Sequence, residues 1–390
     1  MKIVFAADLH IGANKFRSTA ERWNQPLVEL VDCAIEEKAD VLALAGDLSH
    51  HRRPTTASAE FMYQQLIRAH DADIQILGAD GNHDDGVTDK STSATWHLPG
   101  VWARKHVLNF QQQQINFVLL PWITPAAYLA DTNIPLQEQL QVSALKAMQD
   151  MKDAVERHPD KTSILIGHAM IAYTNSKYQP YGDPPSPNLQ WAGKDVVLDS
   201  GFLDNLFDHI ALGHVHDPVM PFYIGSSQPT DWGDADQDKH FYVMDDEQHG
   251  YRAVRYKSSI KLLDWNFRSD EQTAGIWSLN DPLWSLIDRP LRDDYDVGRF
   301  KYHVAAGDAE PDVESLAKIR AKLESVCQKV ESFEVTKDRT VVERVTTEIP
   351  LAAMRPEAAA RAWLEAQGKL SEAEKKRALK EFQVLIARNA

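Results

Sequence analysis

The stretch IQILGADGNHD, residues 74–84, joins a short apolar run to a cluster of polar side chains. The apolar half predicts a buried β-strand that ends near Gly78. Asn82, His83 and Asp84 follow at once, in a loop that begins with a glycine. An amide, an imidazole and a carboxylate in this position can bind a metal or a substrate only if other segments bring partners to the same place.

Other apolar runs of the chain end in the same way. The polar residues that follow them are Asp8 and His10 after KIVFAA (2–7), Asp47 after DVLALAG (40–46), His168 after TSILIG (162–167), and His214 and His216 after HIALG (209–213). Helical patterns over 19–37 and 56–69 alternate with the first runs, which indicates an α/β architecture. Because strand ends on one edge of a sheet lie close together, we expect these side chains to meet.

The composition is that of a globular protein of more than one domain. The chain has 390 residues, of which 43% are hydrophobic and 25% charged. Two cysteines, Cys33 and Cys327, exclude a disulfide framework and favour the cytoplasm. We expect no secretory signal and no membrane contact, because no apolar segment approaches the ~18 residues of a membrane span. The net charge of −15 means that binding to nucleic acid would depend on local basic patches, metal or a partner.

The ligand chemistry of the strand ends is carboxylate and imidazole with one amide. Such a set suits Mn²⁺, Fe or Zn²⁺ better than Ca²⁺ or an iron–sulfur cluster. There are too many ligands for one ion, but they suit two ions that share a carboxylate. Two divalent ions about 3.5–4 Å apart can hold the attacking and leaving oxygens of a phosphoryl transfer. Each motif alone is more often a turn or a core histidine, but together they predict a two-metal hydrolase.

The series D-x-H, G-D, G-N-H-D, G-H and G-H-x-H resembles the signature of the calcineurin-like metallophosphoesterases. The resemblance implies an α/β (α+β) fold, a four-layer β-sandwich flanked by helices, with two metals at one sheet edge. It implies a first ion on Asp8, His10, Asp47 and His216, and a second on Asp47, Asn82, His168 and His214. It also implies that His83 contacts the phosphate and protonates the leaving alkoxide, while Asp84 orients and charges the His83 imidazole.

A second resemblance covers FYIGSSQPTDWGDADQDKHFYVMD, residues 222–245, which is similar to the segment after the last motif in the SbcD-type DNA-repair nucleases. The turn Asp231–Asp234 and the strand start at Lys239 carry it. This resemblance implies three parts: a phosphoesterase (nuclease) domain at 1–256, a small α+β capping domain at 257–350, and C-terminal helices at 351–390 that dock on an SbcC-type SMC-like ATPase.

Two positions depart from the usual pattern of these nucleases. Ser49 and His50 stand where the family often has phenylalanine and aspartate, a change that we expect to alter substrate access. His240 replaces a usual glycine. Together with the divergence of the cap, these departures suggest a distant member, phage-encoded or from an unusual host.

The resemblance implies a DNA nuclease with two Mn²⁺ ions, with Mg²⁺, Fe or Zn²⁺ as alternatives. It would act as a 3′→5′ exonuclease on duplex ends and as an endonuclease on single strands, in a homodimer joined to the ATPase. The helices at 19–37 and 56–69 are candidates for the dimer contact. The alternatives are a stand-alone nucleotide or small-molecule phosphodiesterase and a non-catalytic scaffold.

Basic side chains in loops near the strand ends are candidates for contact with the DNA backbone. The segment HHRR at 50–53 is the first choice because it follows Asp47 directly. A solvated face is the alternative interpretation of each one. The candidates are Lys15, Arg17, His51, Arg52 and Arg53.

Overall fold

A computed structural model describes most of the chain, namely residues 1–16, 18–84, 95, 97–130, 133–172, 195–219, 222–235, 237–245, 250–268, 295–305, 308, 310–337, 371 and 375–380. The chain forms two compact units, residues 1–303 with 310–336 and residues 304–309 with 337–390. The site and its scaffold lie in the first unit. The boundaries at 256 and 350 that the sequence suggests stay a prediction.

Most regular elements of the described residues belong to the first unit. The strands are β1 Lys2–Ala6, β2 Val41–Ala45, β3 Gln75–Ala79, β4 Val101–Ala103, β5 Leu108–Gln112, β6 Ile115–Leu120, β7 Thr162–His168, β8 Met170–Ala172, β9 Val197–Asp199, β10 His209–Gly213, β11 His240–Asp245, β12 Gly250–Arg255, β13 Leu262–Arg268, β14 Tyr295–Val304 and β15 Cys327–Lys337. The helices are α1 Ala20–Glu36, α2 Thr56–Asp71, α3 Pro125–Tyr128, α4 Leu136–Glu156, α5 Ser200–Leu206 and α6 Val313–Val326.

Two large sheets carry the fold. The first has six strands in the order β12-β11-β1-β2-β3-β4, and the second has four in the order β10-β7-β6-β5. Strands β1 to β4 run parallel, and so do β6, β7 and β10. The carboxyl ends of β1, β2 and β3 therefore share one edge of the first sheet, and those of β7 and β10 share one edge of the second.

The alternation of side chains along each strand explains why the strands read as continuous apolar runs. In β1, Ile3 and Phe5 belong to a buried cluster with Phe117 of the second sheet. Val4 and Ala6 point to the opposite face and share a cluster with residues of α1 and α2. A third cluster joins the outer face of the second sheet to α4 and α5. Strands buried on both faces need apolar residues at every position, and these layers confirm the predicted helix-flanked β-sandwich.

Helices α1 and α2 begin where the sequence offers a capping side chain. Thr19 accepts a hydrogen bond from the backbone of Arg22 at the start of α1, and Thr55 accepts one from Ser58 at the start of α2. Helix α1 buries the predicted stripe that begins with Trp23. Among the helices of the described ranges, none combines the length and the apolar character that a bilayer span needs.

Beyond β12, a three-stranded sheet, β13-β14-β15, forms with α6 lying between β14 and β15 in the chain. The sequence pattern over 313–330 predicts a helix that runs to Val330, but the helix ends at Val326. Cys327 adopts extended backbone angles and starts β15. The Cys327 thiol packs so closely on Gly298 of β14 that a Cβ there would lie 2.6 Å from its sulfur. This packing of Cys327 onto β14 favours the strand at a position where local pattern alone favours helix.

The apolar run FYIGS, residues 222–226, predicts a strand, but Tyr223 makes only isolated bridges to Leu212 and Val219. The chain turns at Gly225, where φ is 85°. In the predicted C-terminal helices, residues 375–380 are helical and the backbone of Lys375 donates to Ser371. The rest of 351–390 lies outside the described residues.

A buried glutamine connects α1 to the chain that enters the three-stranded sheet. The Gln228 Oε1 atom accepts from the backbone N–H of Ile260 at 2.7 Å. Its Nε2 donates to the carbonyls of Arg22 and Trp23 at 3.3 and 3.4 Å. Since the side chain is 1% exposed, water does not replace these bonds.

We expect Gln228→Leu to lower the free energy of unfolding by about 2–3 kcal/mol, because it leaves buried backbone groups unpaired. Urea unfolding measures the change. Gln64→Leu is the control, since Gln64 is exposed on α2 and bonds Glu60; it should cost less than about 0.5 kcal/mol. Equal stability of the two variants would contradict this role of Gln228.

Candidate metal centre

The carboxyl end of β7 and the loops after β1, β2, β3 and β10 bring the seven predicted ligand side chains together. Asp47 lies at their centre: its Oδ2 is 3.8 Å from His10 Nε2 and 3.6 Å from His168 Nε2. A carboxylate between two sets of donors can bridge two ions. The converging side chains are Asp8, His10, Asp47, Asn82, His168, His214 and His216.

One group of donors, on one side of Asp47, could hold the first ion. Donor atoms of Asp8, His10 and His216 lie within 4.8 Å of one another. The Nε2 atoms of His10 and His216 are 3.1 Å apart. With Asp47, these residues make up what we call the first metal position.

A second group could hold the other ion. Donor atoms of Asp8, Asp47 and His168 lie within 4.8 Å of one another. Asn82 Oδ1 is 3.0 Å from His168 Nε2 and 3.2 Å from His214 Nδ1. We call Asp47, Asn82, His168 and His214 the second metal position.

The orientation of His168 tests whether a cation fits. His168 Nδ1 lies 3.0 Å from the carbonyl oxygen of Ala45, which can only accept, so Nδ1 carries the hydrogen. The Nε2 lone pair then faces Asn82 Oδ1, which is also an acceptor. A cation between the two atoms would satisfy both lone pairs. The donor set suits Mn²⁺, Fe or Zn²⁺.

The pKa shifts in the cluster also favour the binding of cations. Burial lowers the pKa of His168, His214 and His216 to about 3, so these imidazoles are neutral and keep a lone pair. Burial and the charge of Asp47 raise the pKa of Asp8 well above its usual value. Burial also raises the pKa of Asp47 to about 6, although His83 and Arg52 act in the opposite direction. A divalent cation beside these groups would stabilise the ionised form of the buried carboxylates and bind the lone pairs of the neutral imidazoles.

Four of the ligands have strained backbone angles. Asp8, His10, Asp47 and His214 have positive φ angles of 49°, 46°, 49° and 96°. Such a conformation costs a residue other than glycine about 1–3 kcal/mol and persists only where the surroundings impose it. The tight turns after the strands impose it here, because each one directs a side chain to the centre. The His214 N–H, for example, donates to both oxygens of Asp8 at 3.1 Å.

His83 stands at the rim of the cluster. Its Nε2 is 4.0 Å from Asp47 Oδ2, and 36% of its side chain is exposed. Its backbone N–H donates to Asp47 Oδ1 at 2.8 Å. On the far side of the ring, Nδ1 lies 2.7 Å from the carbonyl oxygen of His50. The ring can thus present Nε2 to a bound substrate.

Asp84 is the residue that the sequence predicts to orient and charge the His83 imidazole. The Asp84 carboxylate is fully buried and accepts backbone N–H bonds from Leu48, Ser49 and Gly81 at 3.1, 2.8 and 3.0 Å. These bonds fasten the loop after β2 to the loop after β3. Nδ1 of the His83 ring faces the His50 carbonyl, and the role of Asp84 in orienting and charging that ring stays a prediction.

Two aromatic rings lie beside the ligands: His50, which the sequence singles out only for substrate access and DNA contact, and Trp122, which it does not single out. The His50 ring stacks on His83 with centroids 5.3 Å apart, and its Nδ1 is 3.4 Å from that of His10. The Trp122 ring lies 4.6 Å from His214 and 5.8 Å from His168. Both follow apolar runs, so the strand-end rule that found the ligands could have found them.

The residues predicted to contact DNA differ in exposure and in the hydrogen bonds that they make. Lys15 Nζ donates to the carbonyl of Thr230 at 2.6 Å, and Arg52 Nε donates to that of Asn82 at 3.2 Å. His51 and Arg53 are exposed. Arg17 lies outside the described residues. Lys15 therefore supports the protein's own loop.

Gly46 has a φ of 84°, and a Cβ there would lie 2.3 Å from His168 Nδ1. We expect Gly46→Ala to displace His168, to lower the free energy of unfolding by about 2–4 kcal/mol, and to remove the ion at the second metal position. Metal analysis after dialysis and urea unfolding measure both effects.

Gly100→Ala is the matched control, because Gly100 also has a positive φ of 102° and its Cβ would meet the backbone of Ile76 at 2.6 Å. It should lose stability but keep the wild-type metal content. A Gly46→Ala variant with unchanged metal content would contradict the placement of His168.

The chain is similar in sequence to proteins that are named for nuclease action or DNA repair. A Staphylococcus epidermidis protein, named as a subunit of the nuclease SbcCD, is 24% identical over 263 residues, which are 64% of this chain and 67% of that protein. The "DNA double-strand break repair protein Mre11" of Archaeoglobus fulgidus is 29% identical over 241 residues, 58% of this chain and 48% of that protein. The chain thus spans about half the length of the second relative. A solved structure of a novel archaeal phosphodiesterase covers 66% of this chain and all of its own at 10% identity, with a TM-score of 0.31.

A family profile decides the assignment. The profile described as calcineurin-like phosphoesterase matches residues 1–218, which contain all seven converging side chains. This match covers more than half of the 390 residues. The resemblance read from the motifs is therefore confirmed, and the chain belongs to the calcineurin-like phosphoesterase family.

Proposed function

We propose that the chain is a DNA nuclease that hydrolyses phosphodiesters at a two-metal site. One observation carries the proposal: two groups of buried donors meet around the single carboxylate of Asp47, with the His83 ring at their open side. The names of the two relatives, one a nuclease and one a DNA double-strand break repair protein, support DNA as the substrate.

The protein's own residues would perform the binding and the proton transfer. The first metal position would use Asp8, His10, Asp47 and His216, and the second Asp47, Asn82, His168 and His214. When bound, two Mn²⁺ ions would supply positive charge to the phosphate and a nucleophile at neutral pH. The neutral amide of Asn82 adds no negative charge, so an anionic phosphodiester can enter.

His83 is the proposed acid. Its Nδ1–H faces the carbonyl of His50, which accepts a hydrogen bond in the neutral and in the protonated form of the ring. The opposite nitrogen, Nε2, would contact the phosphate and give its proton to the leaving alkoxide. Asp84 would hold together the loops that carry Asp47 and His83.

The proposed mode of cleavage, location, oligomeric state and partner rest on the resemblance to the SbcD-type nucleases. We propose 3′→5′ exonuclease action on duplex ends and endonuclease action on single strands, in the cytoplasm, as a homodimer. The Staphylococcus epidermidis relative is named as one subunit of a nuclease called SbcCD, which supports work in a complex. The proposed partner is an SbcC-type SMC-like ATPase, held by the helices predicted within 351–390.

A stand-alone nucleotide or small-molecule phosphodiesterase is the second candidate. The net charge of −15 favours it, because a negative surface repels DNA on average. A complete donor set argues against a scaffold without activity, because such a scaffold does not need to bind metal.

We expect the purified protein with Mn²⁺ to degrade end-labelled linear duplex DNA and to cut single-stranded circles. Mg²⁺ and no metal serve as parallel conditions. Hydrolysis of bis-(p-nitrophenyl) phosphate or cyclic nucleotides without any cleavage of DNA would favour the second candidate. Without hydrolysis of any of these substrates, the proposal would be wrong.

We expect His83→Gln to lower the rate of DNA hydrolysis by about 10²–10⁴-fold, the usual contribution of a general acid, while two ions remain bound. The loss should be smaller on bis-(p-nitrophenyl) phosphate, whose leaving group needs little protonation. His97→Gln is the control because His97 is exposed. Equal losses on the two substrates would contradict the assignment of His83 as the acid.

A further inference from the structure

Behind His216 lies a chain of buried polar side chains that the proposed reaction does not use. His216 Nδ1 is 2.6 Å from Thr230 Oγ1. Thr230 Oγ1 is 3.1 Å from Asp234 Oδ2, and Asp234 Oδ1 is 3.3 Å from Lys239 Nζ. Thr230, Asp234 and Lys239 are 8%, 7% and 2% exposed, so water does not compete for these bonds. We call these three residues the His216 relay.

Local structure explains how the sequence builds this relay. Asp231 accepts a hydrogen bond from the backbone of Gly233 at 2.6 Å, which starts a single 3₁₀ turn over Trp232–Asp234. The turn brings Asp234 back to Thr230, whose backbone N–H donates to Asp234 Oδ2 at 2.5 Å.

Lys239 comes from the next element. It precedes β11, which runs antiparallel to β1 and therefore begins at the edge where β1 ends. The Lys239 ammonium also lies 3.3 Å from the carbonyl oxygen of His216. The DWGD turn and the KHF strand start, known from the sequence only as marks of resemblance, thus meet at one metal ligand.

The direction of each hydrogen bond follows from the chemistry of the groups. The Asp234 carboxylate can only accept, and the Lys239 ammonium and the Thr230 N–H both favour its ionised form. The Thr230 hydroxyl therefore donates its single proton to Asp234. In its contact with His216 the hydroxyl oxygen must then accept, so that the hydrogen of the neutral ring is on Nδ1.

This assignment leaves the lone pair of His216 on Nε2. That atom is the one that lies 3.1 Å from His10 Nε2, inside the first metal position. The other tautomer would point a hydrogen at the ion. His168 achieves the same result with the backbone carbonyl of Ala45, whereas His216 has its tautomer set by side chains that a substitution can remove.

We propose that the His216 relay fixes the tautomer and the ring orientation of His216 and thereby sets the affinity of the first metal position. The proposal rests on the two-metal function proposed above and makes the relay members positioning residues. Partners of this kind behind a metal-bound histidine typically change metal affinity about 10–100-fold when they are removed.

Thr230→Val tests the proposal because valine keeps the shape of threonine and removes the hydroxyl. Titration of the metal-free full-length protein with Mn²⁺, followed by electron paramagnetic resonance and calorimetry, gives the two dissociation constants. We expect one of them to rise about 10–100-fold, and the other to change less than about threefold. Thr230→Ser, which restores the hydroxyl, should bind both ions as the wild type does.

Ser143→Ala is the matched control. Ser143 is buried on α4 and its hydroxyl donates to the carbonyl of Gln139 at 2.7 Å, so the variant also loses one buried hydrogen bond. It should bind both ions with unchanged constants. If Thr230→Val does not fold, Asp234→Asn, which keeps the size of the side chain and removes its charge, should show the same selective loss.

Two results would contradict the proposals, and they can be told apart. A wild-type protein that binds fewer than two Mn²⁺ ions would contradict the proposed function and the relay with it. A wild type that binds two, with Thr230→Val or Asp234→Asn binding both as tightly, would overturn the relay alone.

Discussion

The structure depends on the burial of two carboxylates at the end of a sheet. Asp8 and Asp47 are 1% and 2% exposed, and burial raises the pKa of both in spite of Lys239 and Arg52 nearby. Such a pair is stable in the ionised form only if a cation lies beside it. The neutral imidazoles and the Asn82 amide surround the same point. The apolar sandwich behind them therefore positions ionisable carboxylates where water cannot stabilise their charge.

The burial of these carboxylates explains why the backbone is strained around them. Four ligands adopt positive φ angles, and Gly46 permits an approach to His168 that no side chain would allow. The strain is offset by strands buried on both faces, which fix the start of every ligand loop. Two oxygens of Asp84 fasten the loops after β2 and β3 to each other. The strand ends and the tied loops together hold the ligand side chains in place.

Neighbouring residues in one short loop perform separate tasks. Asn82 faces His168 and His214, His83 faces the open side of Asp47, and Asp84 turns inward to backbone amides. A tight turn rotates each side chain away from its neighbour, so adjacency in the sequence gives no guide to contact. The same holds for DWGD, in which Asp231 builds the turn while Asp234 reaches Thr230.

The sequence alone determined the layers, the long helices and the identity of the ligand loops. Apolar runs that end in polar residues are a local signal, and the period of α1 is another, because burial acts on each segment independently. Only the tertiary structure decided which side chains touch. The partner of His83, the inward turn of Asp84, the end of α6 at Val326 and the hydroxyl behind His216 all depend on segments far apart in the chain. Their contacts arise from the packing of those segments in space, which the order of residues within one segment does not contain.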